Sequence, residues 1–299
     1  MKPKLWLIIP CYNEQAILRH TADLLSQKMN EMIDSQVISS ESRIVLVDDG
    51  STDQTRTIIR EKCKESSMFY GIILSRNFGQ QRALLAGMMY ACGKCDCIIS
   101  MDADLQDDIN VLPNFIEKFR AGYHVVYGVR SDRSSDSWFK KYTALLFYKL
   151  MNCMGAKIVE NHSECRLLSD KALHALQEYK ESNLFIRHII PCLGFDNAVV
   201  YYARQKRIAG ETKYSAWKLV CLALDGIISS SEKPLQTVPL MGAFCIGLGI
   251  MGAPCNNWIL GGLQLLCFGI MCQYIEKISV EVKHRPRYII EEIIGGDAT

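Results

Sequence analysis

A stretch without charge separates two parts of the sequence. From Pro234 through Ile275 there is no aspartate, glutamate, lysine or arginine, although 22% of the chain is charged. A soluble domain rarely leaves so long a segment uncharged, and two membrane helices of about 17–20 residues would fit it. We predict these helices at Val238–Ala253 and Trp258–Tyr274. Each would span about 25 Å against a hydrocarbon core of about 30 Å, so a re-entrant or interfacial hairpin is the alternative.

The sequence also has little net charge and no secretion signal. A formal charge of +2 gives no global field of the kind that attracts nucleic acid. Met1–Pro10 is too short an apolar segment for a signal peptide, so the 13 cysteines are predicted to be reduced thiols that act as small buried hydrophobes. Cys92-x-x-Cys95 has metal-ligand spacing, but no second Cys or His pair follows it, and we predict no metal site there.

The first 130 residues alternate between short apolar runs and helical periodicity. This pattern predicts a parallel sheet with helices on both faces. The predicted strands are Leu5–Ile9, Arg43–Val47, Gly71–Leu74, Asp96–Met101 and His124–Tyr127, and the predicted helices are Glu14–Met32, Thr52–Lys64, Gln80–Ala91 and Val111–Ala121.

Polar side chains follow four of these strands at the point where each strand ends. They are Asn13-Glu14, Asp48-Asp49, Arg76-Asn77 and the segment Asp102–Asp104. Ligands of such sheets bind beyond the carboxyl ends of the strands, so the sequence predicts one site at this edge.

Asp102 and Asp104 stand two residues apart in a turn after a buried strand. Such a pair can face one divalent cation, and hard oxygen ligands suit Mg²⁺ or Mn²⁺ with bound substrate phosphates. Gln106 and Asp107 could add to this shell, whereas a solvated acidic turn before a helix is the alternative. At Asp48-Asp49 a carboxylate could accept a hydrogen bond from a base or a ribose hydroxyl, or cap the following helix.

Basic residues are concentrated later in the chain. They are Arg130, Arg133, Arg204, Lys206, Arg207 and Lys213. Ionised phosphates need such partners, although a solvated basic face or a lipid-headgroup patch is the alternative. Two amphipathic helices are predicted at Trp138–Met154 and Lys213–Ser231, and the second precedes the uncharged stretch as an interfacial helix would.

The sequence resembles the polyprenyl-phosphate glycosyltransferases of glycosyltransferase family two, which include bactoprenol glucosyltransferases and dolichol-phosphate mannose synthases. The resemblance depends on an ordered set of motifs that covers almost the whole chain. These are Ile9-Pro-Cys-Tyr-Asn-Glu14, Val47-Asp-Asp-Gly-Ser-Thr-Asp53, Leu74-Ser-Arg-Asn-Phe-Gly79, Met101-Asp-Ala-Asp-Leu-Gln-Asp107, Tyr127-Gly-Val-Arg130, Glu164-Cys-Arg-Leu-Leu-Ser169, Ala209-Gly-Glu-Thr-Lys-Tyr214 and Leu222-Ala-Leu-Asp-Gly226.

The resemblance implies an α/β protein of the GT-A fold, Rossmann-like with a mostly parallel sheet, followed by interfacial helices and a two-helix membrane hairpin. It implies an inverting transfer of sugar from a UDP- or GDP-linked donor to a polyprenyl phosphate such as undecaprenyl phosphate, in the biosynthesis of cell-envelope glycans. By position, Pro10, Tyr12, Glu14 and Asp49 would hold the nucleoside, while Asp102, Asp104 and Gln106 would hold Mg²⁺ or Mn²⁺ and the donor diphosphate. Arg130 and Arg133 would meet the acceptor phosphate, and Arg207 and Lys213 would close over the phosphates.

One motif departs from the family pattern. Glu164 stands where the bacterial relatives usually carry an aspartate that is a candidate for the base or for acceptor positioning. Together with Asp104, Glu164 is our candidate catalytic residue. Two alternatives stay open: a processive polysaccharide synthase, whose Gln-x-x-Arg-Trp-type motif we do not find, and a non-catalytic membrane scaffold that binds nucleotide sugar.

The predicted organisation has four parts. Residues 1–212 form the catalytic domain, with a nucleotide-sugar half at 1–130 and an acceptor half at 131–212. An interfacial helix at 213–233, the membrane hairpin at 234–275 and a cytoplasmic tail at 276–299 follow. Lysines and arginines flank the uncharged stretch on both sides, which predicts a multi-pass protein of the plasma membrane with its catalytic domain in the cytoplasm.

Overall fold

The computed structural model describes residues 2–130, 162–181, 186–203 and 257–295, with residues 235, 238, 239 and 242–244. The described strands are β1 (Leu5–Cys11), β2 (Arg43–Asp48), β3 (Phe69–Leu74), β4 (Cys97–Ser100), β5 (Val125–Arg130), β6 (His162–Ser169), β7 (Asn197–Tyr202) and β8 (Ile290–Ile294). The described helices are α1 (Leu18–Asp34), α2 (Thr55–Glu65), α3 (Gln80–Ala91), α4 (Leu112–Arg120), α5 (Asp170–Gln177), α6 (Ile186–Cys192) and α7 (Asn257–Val282), and one 3₁₀ turn covers Ile109–Val111.

All eight described strands form one sheet in the order β7-β5-β6-β4-β1-β2-β3-β8. Strands β1 to β4 run parallel to one another, and β5 runs parallel to β7. Strand β6 is antiparallel to both of its neighbours, β4 and β5, and β8 is antiparallel to β3. The carboxyl ends of β1 to β5 and β7 therefore lie at one edge of the sheet, as does the beginning of β6.

Helices cover both faces of this sheet because its strands are apolar on both sides. In β1, Leu5, Leu7 and Ile9 pack into one hydrophobic cluster with residues of α1, α2 and α4. Trp6 and Ile8 point to the other face and pack into a second cluster with residues of α3, α5 and α6. This two-sided burial confirms the predicted α/β class and the mostly parallel sheet. Three cysteines, Cys11, Cys97 and Cys165, are fully buried in the first cluster, as expected for small hydrophobes.

Helices α1 and α2 each begin later than the sequence pattern predicts. The predicted start of α1 at Glu14 was wrong because residues 14–17 form a turn, in which the amides of Ile17 and Leu18 both donate to the carbonyl oxygen of Glu14. Helix α2 begins at Thr55 and not at Thr52, and the Thr55 amide donates to the carboxylate of Asp53. The loops after β1 and β2 are therefore longer than predicted, so more of the chain lies at the edge of the sheet where the site is expected.

Three strands after residue 160 were not predicted. Strand β8 is the most consequential, because it lies in the segment that we predicted to be a tail outside the catalytic domain. It pairs with β3, and Arg56 and Arg60 of α2 form ion pairs with Glu291 and Glu292. The sheet therefore includes residues from both sides of the uncharged stretch. Strand β8 belongs to the sheet although it follows the predicted end of the catalytic domain at residue 212.

Several predicted helices fall wholly or partly outside the described residues. Trp138–Met154 and Lys213–Ser231 lie outside them, and Val238–Ala253 is described only at residues 238, 239 and 242–244, which are helical. The predicted helix Trp258–Tyr274 lies within α7, which has 26 residues and is longer than expected. Within the part of the chain that the structure describes, no helix combines the length and apolar character needed to cross a membrane.

Candidate active site

The turn that carries Asp102 and Asp104 begins directly after β4, at the edge where the parallel strands end. The Thr21 hydroxyl on α1 donates to the carbonyl oxygen of Ala103 at 2.8 Å, which fixes the middle of the turn. Leu105 has a φ of 55°, a left-handed conformation that non-glycine residues seldom adopt. The Gln106 amide donates to Asp104 Oδ1 at 3.2 Å. Backbone strain of this kind persists only where the surroundings hold it, and it is concentrated at functional sites.

Side chains from two further elements also orient this turn. The side-chain Nε2 of Gln80, at the start of α3, donates to Asp102 Oδ1 at 2.7 Å. The Tyr202 hydroxyl at the end of β7 donates to Asp107 Oδ1 at 2.6 Å, and both of these side chains are buried. The sequence order of these residues gives no hint of this convergence, because Tyr202 is far along the chain from Asp107.

Asp102, Asp104 and Gln106 offer hard oxygen ligands of the kind that Mg²⁺ and Mn²⁺ prefer. Among the described residues, no third carboxylate, histidine or cysteine joins Asp102 and Asp104 closely enough to form a complete protein cage. A cation at this turn would therefore take its remaining ligands from water and from substrate phosphates, which is how Mg²⁺ is usually bound. The donor set fits a substrate-linked cation and does not fit a permanent structural one.

The predicted acid pair Asp48-Asp49 has a different environment from the one expected. Asp49 is buried, and its two oxygens accept from the amides of Phe78 and Gly79 at 2.8 and 2.9 Å. Burial raises the pKa of Asp49 despite these hydrogen bonds. Asp48 accepts from Arg56 Nε at 2.9 Å. Neither acid caps α2, so the capping alternative was wrong. The carboxylate of Asp49 holds the loops after β2 and β3 together, whereas Asp48 also accepts from the Ser51 amide within the loop after β2.

Pro10 lies near the end of β1, and Tyr12 and Glu14 lie in the loop after it, at the same edge. The loop is tied to the one after β2, because the Thr52 amide donates to Asn13 Oδ1 at 2.9 Å and the Glu14 amide donates to Thr55 Oγ1 at 2.9 Å. Tyr12 is 37% exposed. The predicted nucleoside residues are thus brought together on one side of the Asp102 turn.

Glu164 lies at the start of β6, two residues before the strand position that pairs with Ser100 of β4. The carboxylate of Glu164 is bound by two guanidinium groups, one from Arg166 and one from Arg187. Arg187 Nε donates to Glu164 Oε1 at 2.8 Å, and Gln81 Nε2 donates to the same oxygen at 3.2 Å. Arg166 is fully buried and donates to the other oxygen, Oε2. Burial lowers the pKa of Arg166, while the charges of Glu164 and Asp102 oppose that shift.

Arg187 is a functional candidate that the sequence reasoning missed. It is on the short helix α6 between Ile186 and His188, and no spacing relates it to Glu164. Of the predicted basic residues, Arg133, Arg207 and Lys213 lie outside the described residues. Arg130 ends β5 at the site edge, and its side chain is not described.

The mostly parallel sheet with helices on both faces is a GT-A-like α/β fold. The fold is also that of mannosyl-3-phosphoglycerate synthase from Rubrobacter xylanophilus, with a TM-score of 0.53 and 13% identity, covering 79% of this chain and 74% of that one. The sequence profile described as "Glycosyl transferase family 2" matches residues 6–177, and the chain belongs to that family.

The curated relatives match over nearly the full chain. The uncharacterized glycosyltransferase YkoT of Bacillus subtilis (strain 168) is 40% identical, covering 97% of this chain and 92% of the relative. The SfII prophage-derived bactoprenol glucosyl transferase of Shigella flexneri is 36% identical, covering 98% and 99%. The prophage bactoprenol glucosyl transferase homolog of Escherichia coli (strain K12) is also 36% identical, covering 97% and 99%. These matches confirm the family that the sequence motifs indicated.

Proposed function

We propose that this protein transfers a hexose from a nucleotide diphosphate sugar to a polyprenyl phosphate, with inversion at the anomeric carbon. The observation that carries the proposal is the similarity to bactoprenol glucosyl transferases, which extends through 98% of the chain and includes the acceptor half and the segment after it. The geometry at Asp102 and Asp104 supports it, because two carboxylates at the end of a buried strand suit a diphosphate donor with its cation.

The donor would be held at the edge of the sheet described above. Pro10, Tyr12 and Glu14 would contact the nucleoside, and Asp49 would act by fixing the loop at Phe78 and Gly79 that borders it. Asp102 and Asp104, with Gln106, would hold Mg²⁺ or Mn²⁺ against the donor diphosphate. A bound divalent cation supplies charge neutralisation for the leaving nucleoside diphosphate.

The proposed reaction is a single displacement. An oxygen of the lipid phosphate attacks the anomeric carbon, a carbon–oxygen bond forms, and the bond from that carbon to the donor diphosphate breaks. The attacking phosphate monoester is already largely ionised near neutral pH, since its second pKa is about 6. A strong general base is therefore not required. Glu164 fits this chemistry as a positioning residue, because Arg166 and Arg187 already bind its two oxygens.

On the acceptor side, Arg130 and Arg133 would meet the lipid phosphate, and Arg207 and Lys213 would close over the phosphates. Arg130 ends β5, a strand that is parallel to β7 and reaches the same edge of the sheet as the Asp102 turn. Arginine suits this role because its planar guanidinium can bind two phosphate oxygens at once.

We also propose that the segment between β7 and β8 contacts the membrane. Helix α7 carries large apolar side chains that are more than half exposed, which include Leu265, Leu266, Phe268, Ile275 and Ile278. Because β7 and β8 belong to one sheet, the segment between them must begin and end on the same side of a bilayer. Any crossings by this segment are therefore even in number, and the two-helix hairpin at 234–275 stays our prediction.

The hairpin can be tested by thiol labelling of single cysteines at Asn256 and Ser279 in a variant without other cysteines. We expect Ser279→Cys to react with a membrane-impermeant reagent only after the cells are permeabilised. Labelling of Ser279→Cys in intact cells, or release of the protein from membranes by salt alone, would contradict the proposal.

The proposed activity is tested by incubating membranes that contain the protein with radiolabelled UDP- and GDP-sugars and undecaprenyl phosphate, followed by lipid extraction. We expect one sugar nucleotide to label the lipid fraction, and the label to be released by mild acid as the free sugar. Label in a long polysaccharide would favour a processive synthase. Binding of a sugar nucleotide with no transfer to any lipid phosphate would favour a non-catalytic scaffold.

A further inference from the structure

A second cluster of ligand-type side chains lies at the end of α3 opposite to Gln80, away from the Asp102 turn. Cys92 follows α3, and Asp170 begins α5 directly after β6. The Cys92 sulfur, a carboxylate oxygen of Asp170 and a ring nitrogen of His174 all lie within 4.8 Å of one another. This is the one such group of three among the described residues, and it includes Cys92 of the Cys92-x-x-Cys95 segment but not Cys95.

The backbone around this cluster is held by hydrogen bonds from two directions. The Gly93 amide donates to Asp170 Oδ1 at 2.7 Å, and the Asp170 amide donates to the carbonyl oxygen of Asp96 at 2.9 Å. Asp170 and His174 are one helical turn apart on the face of α5 that meets Cys92. The backbone positions of Cys92 and Asp170 are thus fixed relative to each other without any ligand. This lowers the free-energy cost of ordering the site when a ligand binds.

The histidine has the environment that a metal ligand often has. His174 Nδ1 lies 2.9 Å from the carbonyl oxygen of Asp170 and 3.2 Å from Asp170 Oδ2. Contacts of one ring nitrogen with oxygen acceptors fix the tautomer and orientation of a liganding imidazole. His174 and Asp170 are partly exposed, so a cation can enter from solvent.

A nucleophilic Cys-His-Asp arrangement is the main alternative for these residue types. An activated thiol requires a lowered pKa, which a neighbouring cation or a helix N-terminus provides. Here burial, and then the charge of Asp170, raise the pKa of Cys92. Cys92 also follows the C-terminal end of its helix and not the N-terminal end. The cluster therefore lacks the features that activate a nucleophilic cysteine.

We propose that Cys92, Asp170 and His174 bind a thiophilic divalent cation of the Zn²⁺ type, with water as the fourth ligand. Thiolate, imidazole and carboxylate are all zinc ligands, and three protein ligands plus water make a common zinc set. Ligand atoms of a tetrahedral zinc site are about 3.3–3.8 Å apart, given the usual bond lengths. Side chains that lie within 4.8 Å of one another must therefore close by about 1.5 Å or less, which small rotations of the Cys92, Asp170 and His174 side chains can provide.

This site differs from the proposed Mg²⁺ or Mn²⁺ site in ligand chemistry as well as in position. Sulfur and imidazole ligands select Zn²⁺ or Co²⁺ over Mg²⁺, whereas the oxygen ligands at Asp102 and Asp104 do the reverse. The proposed cation site does not depend on the proposed transferase activity, since it lies at the C-terminal ends of α3 and β6, away from the Asp102 turn. A cation here would join α3 to α5 and stabilise the packing of these helices on the sheet.

The test is a titration of the full-length, detergent-solubilised protein with Co²⁺ alone in the presence of excess Mg²⁺. We expect a near-ultraviolet sulfur-to-cobalt band in the unmodified protein, no such band in Cys92→Ser, and an affinity about tenfold or more weaker in His174→Ala. The matched control is Cys192→Ser, because Cys192 is an exposed thiol that also lies beside an imidazole, that of His188 one turn away, at 3.8 Å. That control should keep the band.

Absence of the band in the unmodified protein, its persistence in Cys92→Ser, or its loss in Cys192→Ser would overturn the proposal, as would unchanged affinity in His174→Ala. A second measurement covers the case in which Cys92→Ser folds poorly. At one fixed concentration, Zn²⁺ should raise the thermal unfolding temperature of the unmodified protein and of Asp104→Asn, and should raise that of His174→Ala by less. An equal rise in His174→Ala would exclude His174 as a ligand.

Discussion

Nε and Nη2 of Arg187 both lie 2.8 Å from Oε1 of Glu164, so the two side chains form a close ion pair at the edge of the candidate active site. Arg166 binds the other carboxylate oxygen from within the core. Two neighbouring guanidinium groups favour the ionised form of this carboxylate. Glu164, Arg166 and Arg187 together carry a net positive charge at this edge, and the ion pairs hold it in one orientation.

We expect Glu164→Gln to reduce kcat by less than the 10²–10⁴-fold typical of losing a general base. Arg187→Ala should reduce activity at least as much, since it leaves a partly buried carboxylate with one fewer partner, and Arg187→Lys should restore part of it. If the two residues act as a pair, the losses in the double variant will not add. Arg43→Ala, an arginine outside this edge, is the control. Loss of the acidic limb of the pH–rate profile in Glu164→Gln, with a larger fall in kcat, would instead identify Glu164 as the base.

Asp102→Asn and Asp104→Asn should each abolish transfer while the protein stays folded. Each change keeps the shape of the side chain and removes the charge that a divalent cation needs at this turn. The measurement is turnover with saturating Mg²⁺ or Mn²⁺ beside a thermal unfolding curve, and Asp34→Asn at the exposed end of α1 is the matched control. Near-normal turnover in either variant would exclude a cation at this position.

Arg130→Ala and Arg133→Ala should raise the apparent KM for the lipid phosphate more than the KM for the sugar nucleotide. The reason is that Arg130 ends β5 at the site edge and leads into the acceptor half of the chain. Steady-state kinetics with each substrate varied in turn would measure the two KM values separately. An equal or larger effect on the sugar nucleotide would assign these arginines to the donor diphosphate.

Tyr202→Phe should weaken the turn that follows β4. The variant removes the hydroxyl that donates to a buried oxygen of Asp107 at 2.6 Å, and a hydrogen bond to a charged group contributes about 1.5–3 kcal/mol. We expect a lower unfolding temperature and a higher concentration of Mg²⁺ or Mn²⁺ for half-maximal activity. Tyr201→Phe is the matched control, since Tyr201 is exposed, and it should change neither quantity.

Gly50→Ala should be strongly destabilising. Gly50 has a φ of +70°, and an added Cβ would lie 2.3 Å from the carbonyl carbon of Arg76. Gly122 has a φ of +99° with open space around it, so Gly122→Ala measures the conformational cost alone, about 1–2 kcal/mol. The difference between the two unfolding temperatures reports the contact between the loops after β2 and β3. Equal unfolding temperatures for Gly50→Ala and Gly122→Ala would mean that the loops after β2 and β3 can move apart at little energetic cost.

The sequence predicted the first five strands because each is an apolar run that ends at polar residues, which is what burial on both faces requires. Strand β6 was not predicted because it carries Glu164 and Arg166, and charged residues enter a buried strand only as partners of each other. Arg187 and Tyr202 could not be assigned because their partners are distant in sequence. The pairing of Cys92 with Asp170 and His174 was missed for the same reason, although its spacing motif was recognised.

The position of β8 has a consequence for how the chain is made. Strand β3 pairs with β2 on one side and with β8 on the other, yet β8 is synthesised only after the whole segment at 203–289. Until then β3 presents an unpaired edge, and exposed edges invite pairing with other chains. The sheet can therefore be completed only after the apolar segment has been synthesised and β8, which follows it, has paired with β3. A nascent chain whose segment failed to return would keep that edge open and become a target for chaperones and proteases.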